Sequence, residues 1–277
     1  MKKFYPILLS AAIFSFALVF AISTTGCKEE EEAVVDTTPK VTLITEDVFP
    51  LTAGRQIVYG GYLRTMNTDT NWTATKAVYK TSWTIVSNAA PSPVGGGTGH
   101  ALYDSTTIPG YAAGYPSIPS IKVASSLMAK RTTATTGDIY LLQNLSAVFK
   151  STGVVYKPTA GGVDSIYYIK LVDYSKGLGE SWSCLDTTWT SATGSKIRMH
   201  IKGVWAAAKD TVTGLNAVKY ASYKLTATRD LYVGGTLASQ GATATVWFYP
   251  GVGPVKMILN ASPTDYGHFR EILSKNF

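Results

Sequence analysis

Cysteine and histidine are scarce in this chain of 277 residues, which contains two cysteines and three histidines. Two cysteines cannot build a disulfide-rich scaffold. The histidines, His100, His200 and His268, lie far apart and form no HExxH, no H-x-H and no other ligand spacing of a metal site. The sequence therefore predicts no metal site and no cofactor.

Dense basic clusters are also missing. Residues 41–277 contain 21 basic and 13 acidic residues, a net charge of +8. The densest groups are Lys130-Arg131 and Lys196-Ile197-Arg198, which are too small to indicate nucleic-acid binding. A moderate basic excess is compatible with anionic lipid, lipopolysaccharide or acidic polysaccharide, and equally with a merely soluble basic surface.

Catalytic motifs are absent as well, since no G-x-S-x-G occurs. Cys184 lies in "SWSCLDTTW", which alternates like a strand, so a half-buried structural cysteine is favoured over a nucleophile with a histidine base. Glu180 and Asp186 could form a carboxylate pair for glycoside hydrolysis, although the sequence does not fix their separation. We expect no enzyme, and an envelope hydrolase is the least favoured alternative.

Long helical patterns are missing too, whereas threonine, valine, tyrosine and tryptophan are plentiful. About nine short alternating runs, separated by glycine, proline, asparagine and aspartate, predict an antiparallel, mainly β domain over residues 41–277. One of these runs is "AVFKSTGVVYKP", at residues 147–158. Such strands form a sandwich, a barrel or a strongly curved sheet.

Two segments depart from this pattern. Residues 88–120 are rich in glycine, proline, serine and tyrosine, which predicts a long irregular loop. "IKVASSLMAKR", at residues 121–131, is interpreted as one short amphipathic helix lying across the sheet.

The N-terminus has the three parts of a secretory signal peptide. Lys2 and Lys3 form a positive region, residues 6–22 are almost entirely apolar, and residues 23–26 are small. The apolar run of about 17 residues could just span a bilayer, so an uncleaved anchor remains an alternative.

Gly26-Cys27 resembles the lipobox of bacterial lipoproteins. The resemblance implies that the chain is cut between Gly26 and Cys27, so that residues 1–26 are a signal peptide, and that Cys27 carries lipid. Thr24 departs from this pattern, since the family most often has leucine there. A cut at a neighbouring site, which would leave Cys27 as a plain thiol, stays open.

Residues 27–40 are predicted to be a disordered tether, because four consecutive glutamates repel one another and bury nothing. Lys28, Glu29 and Glu30 follow the cysteine directly, which resembles the surface-export signal of Bacteroidetes lipoproteins. We therefore expect a lipid-anchored protein of the bacterial outer membrane, facing the periplasm or the cell surface. A plain solvated spacer is the alternative for these charges.

Four motifs of the domain resemble a family of secreted bacterial lipoproteins of unknown function. They are "FPLTAGRQIVY" at residues 49–59, "GLGESW" at 177–182, "TGLNAVKYASYKL" at 213–225 and "YPGVGPVK" at 249–256. Ile57 departs from the family, which often has tryptophan there. The resemblance implies a half-barrel-like antiparallel sheet akin to lipoprotein carriers and carries over no catalytic residue.

The expected function is therefore that of a membrane-anchored binding or carrier module for an apolar ligand, a glycan or an envelope partner. A structural or assembly lipoprotein with a filled core is the alternative. A curved sheet with an aromatic-rich face would form a concave apolar site, although core packing also explains most of these side chains. The candidate ligand-facing aromatics are Tyr62, Trp83, Tyr167, Trp205, Tyr223 and Trp247.

Overall fold

A computed structural model describes residues 41–64, 79–92, 98–108, 121–131, 137–157, 162–260 and 267–277. The predicted signal peptide and tether lie outside these ranges. The described residues contain one helix, α1 (Ser146–Thr152), and thirteen strands. The strands are β1 (Gln56–Arg64), β2 (Tyr79–Pro91), β3 (Thr98–Ile108), β4 (Ile121–Arg131), β5 (Ile139–Asn144), β6 (Ile166–Val172), β7 (Ser181–Thr190), β8 (Lys196–Trp205), β9 (Asp210–Thr213), β10 (Lys219–Val233), β11 (Thr236–Tyr249), β12 (Gly253–Leu259) and β13 (Gly267–Lys275).

The strands form one antiparallel sheet in the order β6-β5-β4-β3-β2-β1-β13-β12-β11-β10-β8-β7, and β9 pairs with the start of β10. Most neighbours are consecutive in sequence, as expected for a meander. The prediction of a mainly β protein with one curved antiparallel sheet and one short helix is confirmed.

The two faces of the sheet follow the alternation of residues along each strand. In β8, Ile197, Met199 and Trp205 are buried, while Arg198 and Lys202 between them are exposed. We call the face that carries Trp205 the inner face and the face that carries Lys202 the outer face. The inner face holds most of the apolar core.

The helix does not lie where the sequence predicts it. Residues 121–131 form β4, in which residues 121–129 pair with β3 and residues 129–131 pair with β5. The alternation Ile121, Val123, Leu127 fits a strand as well as a helix, and cross-strand pairing decides for the strand. The helix interpretation of this segment was therefore wrong.

Helix α1 instead begins at Ser146 and covers the first half of the run at residues 147–158, which was predicted as a strand. Leu145 and Phe149, four residues apart, pack into a second apolar cluster with Trp189 and Met199. Gly153 ends the helix in the left-handed conformation, at φ 71°, and its amide bonds to the carbonyl of Phe149. Contacts across the chain thus select the helix over the strand.

The predicted loop over residues 88–120 is interrupted by β3. Residues 88–91 belong to β2 and residues 98–108 to β3, so the loop prediction was wrong for these parts. Residues 93–97 and 109–120 lie outside the described residues. Beside the "PGVG" turn, the register between β11 and β12 shifts at Trp247 and Phe248, which marks a β-bulge.

The two end strands of the sheet, β6 and β7, are joined by side chains. Among the described strands no main-chain ladder connects them. The indole nitrogen of Trp182 donates to the carbonyl of Lys170 at 3.2 Å, and that of Trp189 donates to the hydroxyl of Tyr167 at 2.7 Å. The sheet is therefore a half-barrel whose end strands are joined at a seam by two tryptophans of β7 and not by a main-chain ladder.

The N-terminal segment, residues 41–52, fills the inner face at one end of the half-barrel. Ile44, Val48, Phe49 and Leu51 are all buried in the main apolar cluster. Main-chain bonds fix the path of the segment, since the amide of Leu178 donates to Thr42 at 3.0 Å and that of Gly251 to Asp47 at 2.8 Å.

Phe49 is the largest apolar side chain of this segment, and its replacement by alanine should strongly destabilise the fold. Phe49 is 3% exposed and packs against the rings of Trp83 and Phe248, 6.5 and 6.1 Å away. We expect Phe49→Ala to lower the free energy of unfolding by about 3–5 kcal/mol. Urea unfolding followed by tryptophan fluorescence measures the loss. Val86→Ala, at a side chain that is 57% exposed, is the control, and equal losses in the two variants would contradict the filling role of Phe49.

Candidate functional site

A buried ion pair lies on the inner face between β3 and β13. The guanidinium of Arg270 donates to Asp104 at 3.2 Å, and the two side chains are only 8% and 13% exposed. Asp104 also accepts from the hydroxyl of Thr81 at 2.6 Å, from the indole of Trp83 at 2.9 Å and from the hydroxyl of Thr106 at 3.0 Å. Each carboxylate oxygen therefore accepts two hydrogen bonds.

The network continues from Arg270 towards the end of the strands. Nε of Arg270 donates to the hydroxyl of Tyr79 at 3.2 Å, and that hydroxyl lies 3.2 Å from Nδ1 of His268. Gly61 faces the ring of Tyr79, and a Cβ at this position would lie 2.1 Å from the carbonyl of Phe269. The glycine is needed because the backbone of β13 comes too close to leave room for a side chain.

The environment keeps both members of the ion pair charged. Burial opposes ionisation of Asp104, but the charge of Arg270 and the hydrogen bonds outweigh it and hold the pKa of Asp104 below its ordinary value. Burial raises the pKa of Tyr79, which stays a neutral hydroxyl. Titratable groups that converge in this way also occur at catalytic sites, but here each is committed to a neighbour.

Three stretches, at residues 49–59, 177–182 and 249–256, meet around the N-terminal segment. Phe49, of the first motif, lies 3.4 Å from where a Cβ of Gly253 would be, and the hydroxyl of Tyr59 donates to Pro254 at 2.9 Å. Gly177, of "GLGESW", lies against Val41, so close that a Cβ there would be 2.3 Å from its side chain. These motifs therefore hold the segment on the inner face.

A solvent-open cleft of about 550 Å³ lies on the outer face, where two neighbouring hairpins end. The amide of Gly234, in the β10–β11 turn, donates to the carbonyl of Lys196 at 2.8 Å and holds the turns together. Thr188, Arg198 and Tyr232 lie side by side on β7, β8 and β10. The cleft is lined by Thr188, Gly194, Ser195, Lys196, Arg198, Tyr232, Gly234 and Gly235.

Charged groups of both signs border this cleft. Nε and Nη2 of Arg198 donate to the two oxygens of Asp186 at 2.8 and 2.7 Å, and the guanidinium carbon lies 5.6 Å from the ring centre of Tyr232. The hydrogen bond from Arg198 lowers the pKa of Asp186. Asp230, two residues before Tyr232 on β10, accepts a hydrogen bond from the side chain of Gln240 at 2.9 Å.

The six predicted aromatics do not share one open face. Trp205 lies beside Leu225 and Trp247 beside Lys224, and because residues 224 and 225 are consecutive, the two tryptophans are on opposite faces. Trp205, Tyr223 and Trp247 are buried in the main cluster and Trp83 packs against it, whereas Tyr167 packs in the second cluster. Tyr62 is 3% exposed and stacks on Phe269 at 5.0 Å.

The interior of the half-barrel is mostly occupied. A cavity of only about 20 Å³ lies beside Phe49, Trp83 and Leu102, which is room for about one water. The indole nitrogen of Trp205 is buried and has no hydrogen-bond partner among the residues that the structure describes. These aromatics therefore fill space, and the concave apolar site expected from them is not formed by the described residues.

Cys184 is 8% exposed, and burial raises the pKa of its thiol to about 12, which fits a structural cysteine. Glu180 accepts the amide of Gly177 at 2.8 Å, while Asp186 is paired with Arg198. Within the described part of the chain, no three His, Cys, Asp or Glu side chains come together as metal ligands. The same part has no helix long and apolar enough to cross a membrane. Cys27, Lys28, Glu29 and Glu30 lie outside the described residues.

Sequence reasoning missed both the buried ion pair and the cleft. Asp104 alternates with the buried Leu102, and Arg270 with the buried Ile272, so each charge occupies a core-facing position of a strand. A charged residue at a core-facing position of a strand was a signal available in the sequence. The partners are 166 positions apart, however, and only the strand order brings them together.

No protein-family model matches the chain, and no curated protein is similar to it. Among solved structures, it is similar to a "putative lipoprotein" of Parabacteroides distasonis, with a TM-score of 0.43 and 13% identity over 83% of this chain and 99% of the other. It is also similar to a "putative exported protein" with a YmcC-like fold from Bacteroides fragilis, with a TM-score of 0.41 and 13% identity over 84% and 100%. These likenesses are too distant to define a family.

Breaking the buried ion pair should be costly and should change the acid sensitivity of the fold. Asp104→Asn leaves the charge of Arg270 buried without its counterion, which we expect to destabilise the protein by about 3–5 kcal/mol. Because the pKa of Asp104 is lowered in the folded state, its stabilisation is complete above about pH 4 and is lost as the pH falls through the lowered pKa.

Urea unfolding between pH 7 and pH 2 checks this prediction. The difference in the free energy of unfolding between wild type and Asp104→Asn should shrink below about pH 4. Asp186→Asn, which removes an ion pair whose side chains are 48% and 42% exposed, is the control and should cost at most about 1 kcal/mol. A difference for Asp104→Asn that stays constant down to pH 2 would refute the assignment.

Proposed function

We propose that this chain is a lipid-anchored protein of the bacterial outer membrane whose β domain acts through its outer surface, as a binding or scaffold module. The observation that carries the proposal is the filled inner face. A carrier of apolar cargo needs an internal cavity of several hundred Å³, and here Phe49 and its neighbours occupy that space.

The anchoring rests on the sequence at the N-terminus. The small residues before Cys27 and the apolar run at residues 6–22 support cleavage and lipidation at Cys27. Two or three acyl chains hold a protein on a membrane stably, because each buried methylene contributes about 0.8 kcal/mol. The charged residues 28–32 suit a spacer between membrane and domain.

Binding rather than catalysis is proposed because the strongest titratable groups serve the fold. Asp104 and Arg270 are bound to each other and to neighbouring strands. Lys170 contacts Asp138 at 2.8 Å and Asp173 at 3.0 Å beside the β6–β7 seam. These pairs tie strands of the sheet together, which accounts for their charges without a substrate.

Lipidation is tested by feeding cells radiolabelled palmitate. We expect the wild-type chain to be labelled and Cys27→Ala to lose the label, since the thioether and the acylated amine both require this residue. Cys184→Ala is the matched control and should keep the label, because its thiol is buried. Unlabelled wild-type protein of full precursor length would contradict the proposal.

Orientation on the outer membrane is tested through the charges that follow Cys27. If Lys28, Glu29 and Glu30 act as an export signal, replacing all three by alanine should make the domain inaccessible to protease added to intact native cells. Palmitate labelling should persist, because the lipobox is unchanged. Replacing Glu31 and Glu32 is the control, and equal accessibility of all variants would show that the charges are only a spacer.

A further inference from the structure

The outer-face cleft at the ends of the β7–β8 and β10–β11 hairpins has the features of a small polar ligand site. It is open to solvent, its volume of about 550 Å³ suits one or two sugar units, and it lies outside the filled core. Its turns are fixed, because Ser195 donates its amide to the hydroxyl of Ser191 at 3.0 Å and Gly234 bonds to Lys196. A preformed site loses little entropy on binding.

We propose that this cleft binds an acidic saccharide unit of the cell envelope, which gives the proposed surface-acting module its ligand class. Three neighbouring groups divide the recognition between them. The ring of Tyr232 offers an apolar face to the sugar ring, the Arg198–Asp186 pair offers donors and acceptors to its hydroxyls, and Lys196 attracts the acidic group.

The charges around the cleft favour this division. Arg198 uses Nε and Nη2 on Asp186, which leaves Nη1 directed away from that pair, while Asp186 is 42% exposed and can still accept. Nη1 can therefore donate to one sugar hydroxyl while a carboxylate oxygen of Asp186 accepts from another. Lys196 has no ion-pair partner among the described residues.

Lys196 therefore distinguishes an acidic sugar from a neutral one. Asp186 and Asp230 lie on the same face, so the cleft as a whole is not strongly basic. A polyanion held only by net charge would be bound weakly here. A sugar with one acidic group at the rim and hydroxyls towards the strands satisfies both signs of charge.

Affinity measurements on the detergent-solubilised full-length protein test the proposal. The probes are oligogalacturonate and the same oligosaccharide with its carboxyl groups reduced. We expect the acidic probe to bind more tightly, with an affinity that falls as salt is raised. Lys196→Ala should lower the affinity for the acidic probe about tenfold and leave the affinity for the neutral probe unchanged, because only the charge contact is lost.

Tyr232→Ala should lower the affinity for both probes, whereas Tyr232→Phe should keep most of the affinity because it keeps the ring. Lys202→Ala is the matched control, because this lysine lies on the same face of β8 as Lys196. Its affinity for both probes should stay within about twofold of wild type. Equal thermal unfolding temperatures verify that the variants fold. Binding that is absent in wild type, or unchanged in both Lys196→Ala and Tyr232→Ala, overturns the proposal.

Two envelope sources carry such sugars, and separate arms tell them apart. Deacylated lipopolysaccharide core presents acidic sugars without lipid, and soluble acidic polysaccharide presents them in a chain. Binding of either one that is weakened by Lys196→Ala supports the site and identifies the source. Because these measurements do not depend on Cys27, failure of lipidation and failure of sugar binding are distinguished.

Discussion

An open sheet exposes its concave face unless something covers it, and this fold depends on the segment that does so. Burial of apolar surface is the main favourable term in folding, and the inner face of this half-barrel carries most of it. Residues 41–52 lie in that face and contribute Val48 and Phe49, both nearly inaccessible to solvent. Gly177, Gly253 and the turn at residues 250–253 all accommodate this segment.

The open edges pose a second problem, because unpaired strand edges invite association with other chains. Trp182 and Trp189 solve it locally, since their indole groups reach across to β6 and replace the missing ladder. Gly203 makes room for Trp182, and a Cβ there would lie 2.6 Å from the indole ring. The half-barrel is thus closed by packing where it is not closed by hydrogen-bonded backbone.

Local pattern predicted much of the fold and little of the site. Residues 196–205 alternate cleanly, and they form β8 as expected. The helix was misplaced because Leu145 and Phe149 satisfy either period, and only their contact with Trp189 and Met199 selects the helix. Lys196 and Arg198 were visible as a small basic group, but Tyr232 joins them through strand pairing that sequence spacing does not encode.

The position of the covering segment in the chain has a mechanical consequence. Any tension on the chain upstream of residue 41 is transmitted first to Leu43, which bridges to Gly177, and then to Val48 and Phe49, before it reaches a strand of the sheet. The sheet itself is loaded only after this segment has peeled away. In a domain built in this order, the covering segment yields before any strand does, and the hairpin turns of the outer face are the last part to bear the load.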